Sequence, residues 1–268
     1  MKNRSLKDLF HLIKKVLPEE QNLYTFPPET LVGDALSIMG KNNISQVPVV
    51  SGSEVLGVFS FRSFSLGIQK LPNQREDLLG LNVEEFLEKL RFAHVSDDLA
   101  YLINEIDAKD AVLIGSPNKI QGIVSAIDAL QYFYKVANPY ILLLEIELAV
   151  RELIRESVDN DKLNYCISQS LKKHYEKMRQ DLPDTVEDMS LHDYVEVITS
   201  KKTWENFNVA FGNNRNLVNS KLRKLPKLRN DVFHFKRELT IDEYDSLRAI
   251  REWLLTRIKR VEGSKENC

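Results

Sequence analysis

"VPVVSGSEVLGVFSFRSF", residues 47–64, and "AVLIGSPNKIQGIVSAIDAL", residues 111–130, share one order of residue types. Each opens on a short apolar run, passes through a polar turn ("SGSE" at 51–54, "SPNK" at 116–119) and returns through a second apolar run. Runs bounded in this way by Gly, Ser, Pro and Asn predict strand, turn, strand. Each second strand closes on Gly-apolar-apolar-Ser, at 57–60 and 122–125. A helical segment precedes each hairpin and another follows it. Working outward, the pattern becomes a β-α-β-β-α unit stated twice, over about 22–75 and 84–138. One copy is too small to bury its own sheet, so two copies are expected to share a core.

Outside this pair the pattern changes. Residues 1–20 read as an N-terminal amphipathic helix segment, the helix itself over 5–17, with Leu6, Leu9, Phe10, Ile13, Val16 and Leu17 on one face and Pro18 ending it. Few lysines accompany that face, which favours packing on protein over a membrane surface. Asn138 and Pro139 read as a break, and strand patterns cease beyond them. Helices are expected at about 140–158, 161–180, 191–200, 203–211, 215–224, 226–237 and 241–260. The last opens on a capping box of Thr240 and Glu243. The chain thus reads as α+β: a repeat pair over 21–138, an all-α bundle over 139–262 and a disordered tail over 263–268.

Composition sets the outer limits. The 268 residues carry a net charge of -2 and are 43% hydrophobic, ample for packed cores. The two cysteines, Cys166 and Cys268, show neither CxxC nor metal-ligand spacing, so reduced thiols and no metal site are expected. Apolar runs such as "ILLL" at 141–144 fall far short of the ~20 residues of a membrane span. Asp8, Lys14 and Lys15 interrupt any signal-peptide core. A soluble, cytoplasmic protein without membrane contact is the expectation. P-loop, nucleophile-elbow and HExxH motifs are missing, which leaves kinase, hydrolase and zinc-protease readings unsupported.

Charge is concentrated locally. Between Arg215 and Arg237 lie eight positive side chains and one negative, a local net charge of +7 in a chain of -2. Such a patch is either a phosphate footprint or a solvated face. Arg223, Lys224 and Lys227 are its candidate RNA contacts. Within it runs "LRNDVFHF", 228–235. Pro226 suits the first turn of a helix, which places Asn230 and His234 one turn apart on one face. Arg229 starts on another face, and its long side chain can curl back. A histidine near its ordinary pKa moves protons at neutral pH, and an arginine stabilises phosphorane charge. Arg229, Asn230 and His234 are therefore candidate catalytic residues for 2′-hydroxyl attack on RNA, chemistry that requires no cofactor. Trp204, Phe207 and Phe211, at helical spacing, read as core; His174 and His192 read as surface residues without partners.

The doubled unit resembles the paired CBS domain, on the strength of Val47-Pro48-Val49-Val50 and the two Gly-apolar-apolar-Ser endings. The resemblance implies an adenosyl ligand, such as AMP, ADP or ATP, between repeats. It assigns phosphate contact to the serine after the last strand and the ribose hydroxyls to an aspartate three residues on. Ser125 and Asp128 fit that pattern. Ser60 offers the equivalent serine, but Ser63 stands where the aspartate is needed. Serine with aspartate three residues later is equally a helix N-cap box. His94 falls near the expected adenine, or is a surface or capping residue.

The second half resembles the HEPN superfamily, through "EIELAVRELIRE" (145–156), "LHDYVEVITSKKTWENF" (191–207), "LRNDVFHF" and "LTIDEYDSLRAIREWL" (239–254). The Arg-x4-His form of that family maps onto Arg229 and His234, with Asn230 as the polar residue that follows the arginine. The resemblance implies a metal-independent endoribonuclease working as a homodimer, in a stress or phage-defence setting, with adenine nucleotide as regulator. The alternative is a nucleotide-sensing dimer whose helical half binds RNA or a protein partner without catalysis.

Overall fold

The computed structural model describes residues 11–17, 23–71 and 77–265. The chain divides into two compact units, Met1–Tyr134 and Lys135–Cys268. In the first, α1 (Val32–Asn42), β1 (Gln46–Ser51), β2 (Glu54–Ser60) and α2 (Phe61–Ile68) form one repeat. The second comprises β3 (Phe92–Ala93), α3 (Ile103–Lys109), β4 (Ala111–Ser116), β5 (Lys119–Ser125) and the opening turns of α4 (Ala126–Ser157).

The hairpins match residue for residue. Antiparallel pairing sets Gln46 opposite Ser60 in one and Ala111 opposite Ser125 in the other. Each ladder shifts register at the equivalent point, between Val49 and Val50 and between Ile114 and Gly115. β3 runs parallel to β4, and a single parallel bridge from Phe26 to Val49 takes its place in the first repeat. Gly57 permits a close crossing: a Cβ there would meet the Glu88 carbonyl oxygen and Leu87 Cβ at 3.0 Å. Val58 and Glu88 exchange backbone hydrogen bonds of 2.9 and 3.0 Å at that crossing. Val58, Leu90, Ala111 and Leu113 form a core shared by both repeats, and the Val55 N–H donates to the Pro117 carbonyl at 2.9 Å.

The N-terminal helix expected over 1–20 is not formed at 11–17; its remaining residues lie outside those described. Leu12 instead bridges Asp98, and Ile13–Lys15 make one 3-10 turn. Ile13 donates to the Asp97 carbonyl at 3.0 Å, and Leu99 to the His11 carbonyl at 3.0 Å. Ile13 and Val16 are buried against Leu99, Leu102, Ile106 and Val124 of the second repeat. The apolar face is real, but the opening of the α3 region supplies partners for its backbone, and an extended bridge uses them.

The second unit contains the remainder of α4, then α5 (Asn160–Met178), α6 (Leu191–Thr199), α7 (Asn208–Phe211), α8 (Arg215–Leu222), α9 (Leu225–Phe233) and α10 (Ile241–Lys265). Its core gathers Ile146, Ile154, Tyr194, Phe207, Phe211 and Leu254, with Trp204 packed against it. The break expected at Asn138 and Pro139 does not occur: α4 continues through Pro139. Proline has no N–H for the Lys135 carbonyl one turn back, a loss of about 3 kcal/mol in a helix interior. The next turns bury Leu142, Leu143 and Ile146, each worth about 1.5–3 kcal/mol, which offsets it. At the other end, α10 continues to Lys265, so 263–265 are helical where a disordered tail was expected. Among the described residues no helix is long and apolar enough to cross a membrane.

Candidate functional site

Two places in the chain hold the sequence-predicted residues, one in each unit. In the first, Ser125 ends β5 and opens α4. Its N–H and hydroxyl both donate to Asp128 Oδ2, at 2.9 and 2.6 Å, and Asp128 N–H returns a bond to Ser125 Oγ at 3.3 Å. This is a closed capping box. Asp128 keeps its other carboxylate oxygen, Oδ1, unbonded among the described residues. That oxygen is available to a hydroxyl donor; Oδ2 becomes available only if Ser125 is displaced.

Ser60, the first repeat's counterpart, is differently placed. It is buried, accepts from Ser63 N–H at 2.8 Å and donates to Glu88 Oε1 at 2.9 Å. Arg62 holds the other Glu88 oxygen at 2.6 Å and reaches Asp110 at 3.8 Å. A phosphate at Ser60 would meet the Glu88 carboxylate: in this structure Ser60 belongs to a cap and an ion-pair network. Glu88 lies far from the hairpin in sequence, and nothing in the local pattern pointed to it. His94 also spends its groups locally, its N–H on Asp97 at 2.9 Å and Nδ1 on Ser96 at 2.7 Å.

The second place surrounds α9. The helix ends at Phe233, and His234 is its C-cap rather than an interior residue. His234 N–H still donates to the Asn230 carbonyl at 3.1 Å, so the two remain one turn apart. Beyond it, Phe235 N–H donates to the Val232 carbonyl at 3.1 Å and Lys236 N–H to the Asp231 carbonyl at 2.9 Å. These paired bonds define a Schellman ending, with Phe235 in the left-handed position at φ 52°. Glycine usually fills that position, so its absence concealed the helix end. Phe233 and Phe235 pack on Tyr140, at 5.4 and 6.4 Å between ring centroids.

Lys227, Asn230 and His234 share one exposed stripe at helical spacing. The His234 imidazole makes no hydrogen bond, ion pair or ring contact among the described residues. Arg229 does not curl onto that stripe. Its guanidinium lies over the Phe233 ring, 4.8 Å from the centroid, and a long 3.5 Å contact reaches Asn230 Oδ1. Arg223, Lys224 and Lys227 come together with Leu228 and Glu243 around an open groove of about 460 Å³.

The basic segment is less uniform than its count implied. Arg215 donates to the Thr199 carbonyl at 2.8 Å, and Lys221 lies over Trp253 at 5.6 Å. Arg237 is enclosed by two acids: Asp231 at 2.9 Å and Glu243, which it grips bidentately at 2.7 and 2.8 Å. That grip, with the Thr240 capping bond, holds the Glu243 carboxyl down at about 2. Sequence reasoning counted Arg237 as surface charge and missed its partners. His174 and His192 are exposed as expected, but their rings face one another at 5.8 Å, a pairing between α5 and α6. Among the described residues, no group of three or more His, Cys, Asp or Glu side chains is placed to hold a metal ion.

The doubled hairpin with its two Ser-capped helices has the form of a CBS-type unit. Residues 6–66 match the family model of the CBS domain, so the chain carries a CBS domain there, followed by a helical C-terminal region. Similar solved structures include a CBS-domain containing protein from Agrobacterium tumefaciens, at 19% identity and TM-score 0.41 over 45% of this chain and 92% of that one. A CBS domain-containing protein from Bacillus anthracis gives 18% identity and TM-score 0.40 over 48% and 98%. A CBS domain pair solved with 5-methylthioadenosine and S-adenosyl-L-methionine gives 18% identity and TM-score 0.39 over 46% and 96%. Among curated proteins, none matches the chain.

Proposed function

We propose that this protein is an RNA endonuclease of the HEPN type, active as a homodimer and regulated by an adenosine ligand at Asp128. The observation that carries the reading is the exposed stripe of Lys227, Asn230 and His234, with an imidazole that no other group engages among the described residues. Lys227 also lines the groove with Arg223 and Lys224. Such a groove follows a phosphate backbone by charge.

The reaction is transesterification. A ribose 2′-oxygen attacks the adjacent phosphorus, the bond from phosphorus to the 5′-oxygen breaks, and a 2′,3′-cyclic phosphate and a 5′-hydroxyl result. One group must take the 2′-hydroxyl proton and another must give a proton to the departing 5′-oxygen. Each chain supplies one histidine at the stripe, so a second copy supplies the other. Arg229 offers paired N–H donors to the phosphorane oxygens once it leaves Phe233. Asn230 orients the ribose or the imidazole.

In the first unit, Asp128 Oδ1, unbonded among the described residues, would accept from a ribose hydroxyl, and Ser125 stands at a helix start where backbone N–H groups favour phosphate. Binding of AMP, ADP or ATP is read by calorimetry, and Asp128→Ala should weaken it about tenfold, the loss of a charged hydrogen bond. Unchanged affinity would remove Asp128 from the site.

A second reading is favoured by one observation, the Arg229 guanidinium stacked on Phe233. In it the stripe binds RNA without cutting it. Incubation of RNA without divalent metal separates the two: His234→Ala lowers cleavage at least about 100-fold in the first, and in the second neither protein cleaves while both bind.

A further inference from the structure

We infer that a small cavity in the helical unit, away from the basic groove, binds a carboxylate carried on a compact apolar group, with Arg257 as its anchor. The cavity, of about 260 Å³, lies between the end of α7, the start of α8 and the second half of α10. Phe211, Leu217, Val218 and Trp253 give it apolar walls, and Arg257 is the one charged side chain lining it among the described residues. Glu243 borders the basic groove and Arg257 this cavity, fourteen residues apart on α10. At 1.5 Å per residue that is about 21 Å along the helix.

Arg257 is fitted closely into the fold yet has no partner. Gly212 lies against its guanidinium, in a positive-φ conformation of 104° that favours glycine. A Cβ there would stand 2.5 Å from Arg257 Nη2 and 2.8 Å from Cζ. Arg257 makes no hydrogen bond or ion pair among the described residues, whereas Arg248 and Arg251 of the same helix are paired with acids. Burial, and then the neighbouring Arg260, push its pKa down. A half-buried guanidinium has five N–H donors to satisfy, and an anion in the cavity satisfies them while offsetting both effects.

The occupant follows from charge, size and the surroundings of Trp253. One guanidinium matches one carboxylate through two parallel N–H bonds. The cavity is smaller than the roughly 300–1,000 Å³ of sites that enclose a drug-sized ligand, so it has room for one compact apolar group beside the carboxylate and none for a nucleotide. Stacking of a base on Trp253 is opposed as well, because Lys221 lies over that ring at 5.6 Å and Phe211 tilts against it at 6.4 Å. Leu217 is 52% exposed, and an apolar group in the cavity would cover it. An acid of this kind is either a free small molecule or the end of a polypeptide chain.

Nuclear magnetic resonance of the full chain tests this without RNA, so its outcome is independent of the cleavage reading. The probes are isocaproate for the free acid, N-acetyl-leucine for the chain end and N-acetyl-leucinamide as the neutral control. Either acid, at millimolar concentration, should shift the Trp253 indole N–H resonance to saturation and leave that of Trp204 unmoved. The amide should bind at least about tenfold more weakly than N-acetyl-leucine, and both acids should lose at least as much with Arg257→Gln. That variant should keep its melting temperature, because its guanidinium makes no bond to lose among the described residues. Leu217→Glu, at an exposed position, brings a carboxylate to the same cavity and should weaken both acids by competition. Tighter binding of N-acetyl-leucine assigns the cavity to a chain end, and tighter binding of isocaproate to a free acid. Saturation by neither acid, equal binding of the amide, or undiminished binding to Arg257→Gln overturns the site. Inorganic phosphate or AMP binding there more tightly than both acids overturns the choice of a carboxylate.

Discussion

Arg237 organises the polar chemistry beside the motif. It satisfies Asp231, a buried acid on α9, and Glu243, the acid of the α10 cap, with one planar group. Lysine cannot reproduce that fork. Arg237→Lys should lower the melting temperature of the protein, and thermal denaturation reads the change. The same network sets an acid limit. Glu243 titrates at about 2 when folded, below the ordinary carboxyl range near 4.3. Its contribution to stability is therefore complete above the unfolded value and is lost as pH falls from about 4.5 towards 2. Glu243→Gln should flatten the fall in melting temperature over that window. An equal acid slope in both proteins would show that the ion pair contributes nothing there. The sequence proposes Arg229 and His234 as site residues, but their arrangement was not legible there. Arg229 stacks on Phe233, and Phe233 and Phe235 both pack on Tyr140, about ninety positions earlier in the chain.

At the scale of elements, the hairpins were the most readable part. Two β-branched runs about one short polar turn specify a strand pair without help from distant residues, and the repetition specifies the second from the first. The N-terminal segment and α4 were misread for the opposite reason. In both, a local signal was overridden by partners remote in sequence: backbone at 97–99 for Ile13 and the second-unit core for the turns after Pro139. The misreading of Pro139 yields a prediction. Pro139→Ala restores an N–H to the Lys135 carbonyl and should raise stability by as much as about 3 kcal/mol. Calorimetry of the full chain reads it, and a lower melting temperature would mean that α4 is built around the proline.

At the scale of the whole molecule, the chain joins a CBS-like unit to a helical unit in which the proposed chemistry assigns proton transfer to His234. Regulation requires the adenosine ligand to bind active and inactive forms with different affinity, because equal affinity shifts no equilibrium. AMP, ADP or ATP should then change the RNA cleavage rate of wild type, while Asp128→Ala should cleave at one rate with and without nucleotide. The most direct measurement concerns the chemistry itself. Single-stranded RNA is incubated with the full chain in excess chelator, and the product ends are determined. The expected result is cleavage by wild type that leaves 2′,3′-cyclic phosphate and 5′-hydroxyl ends, lost with His234→Ala and reduced with Arg229→Ala. Intact RNA with wild type, with and without each adenine nucleotide, or equal cleavage by His234→Ala, would contradict it.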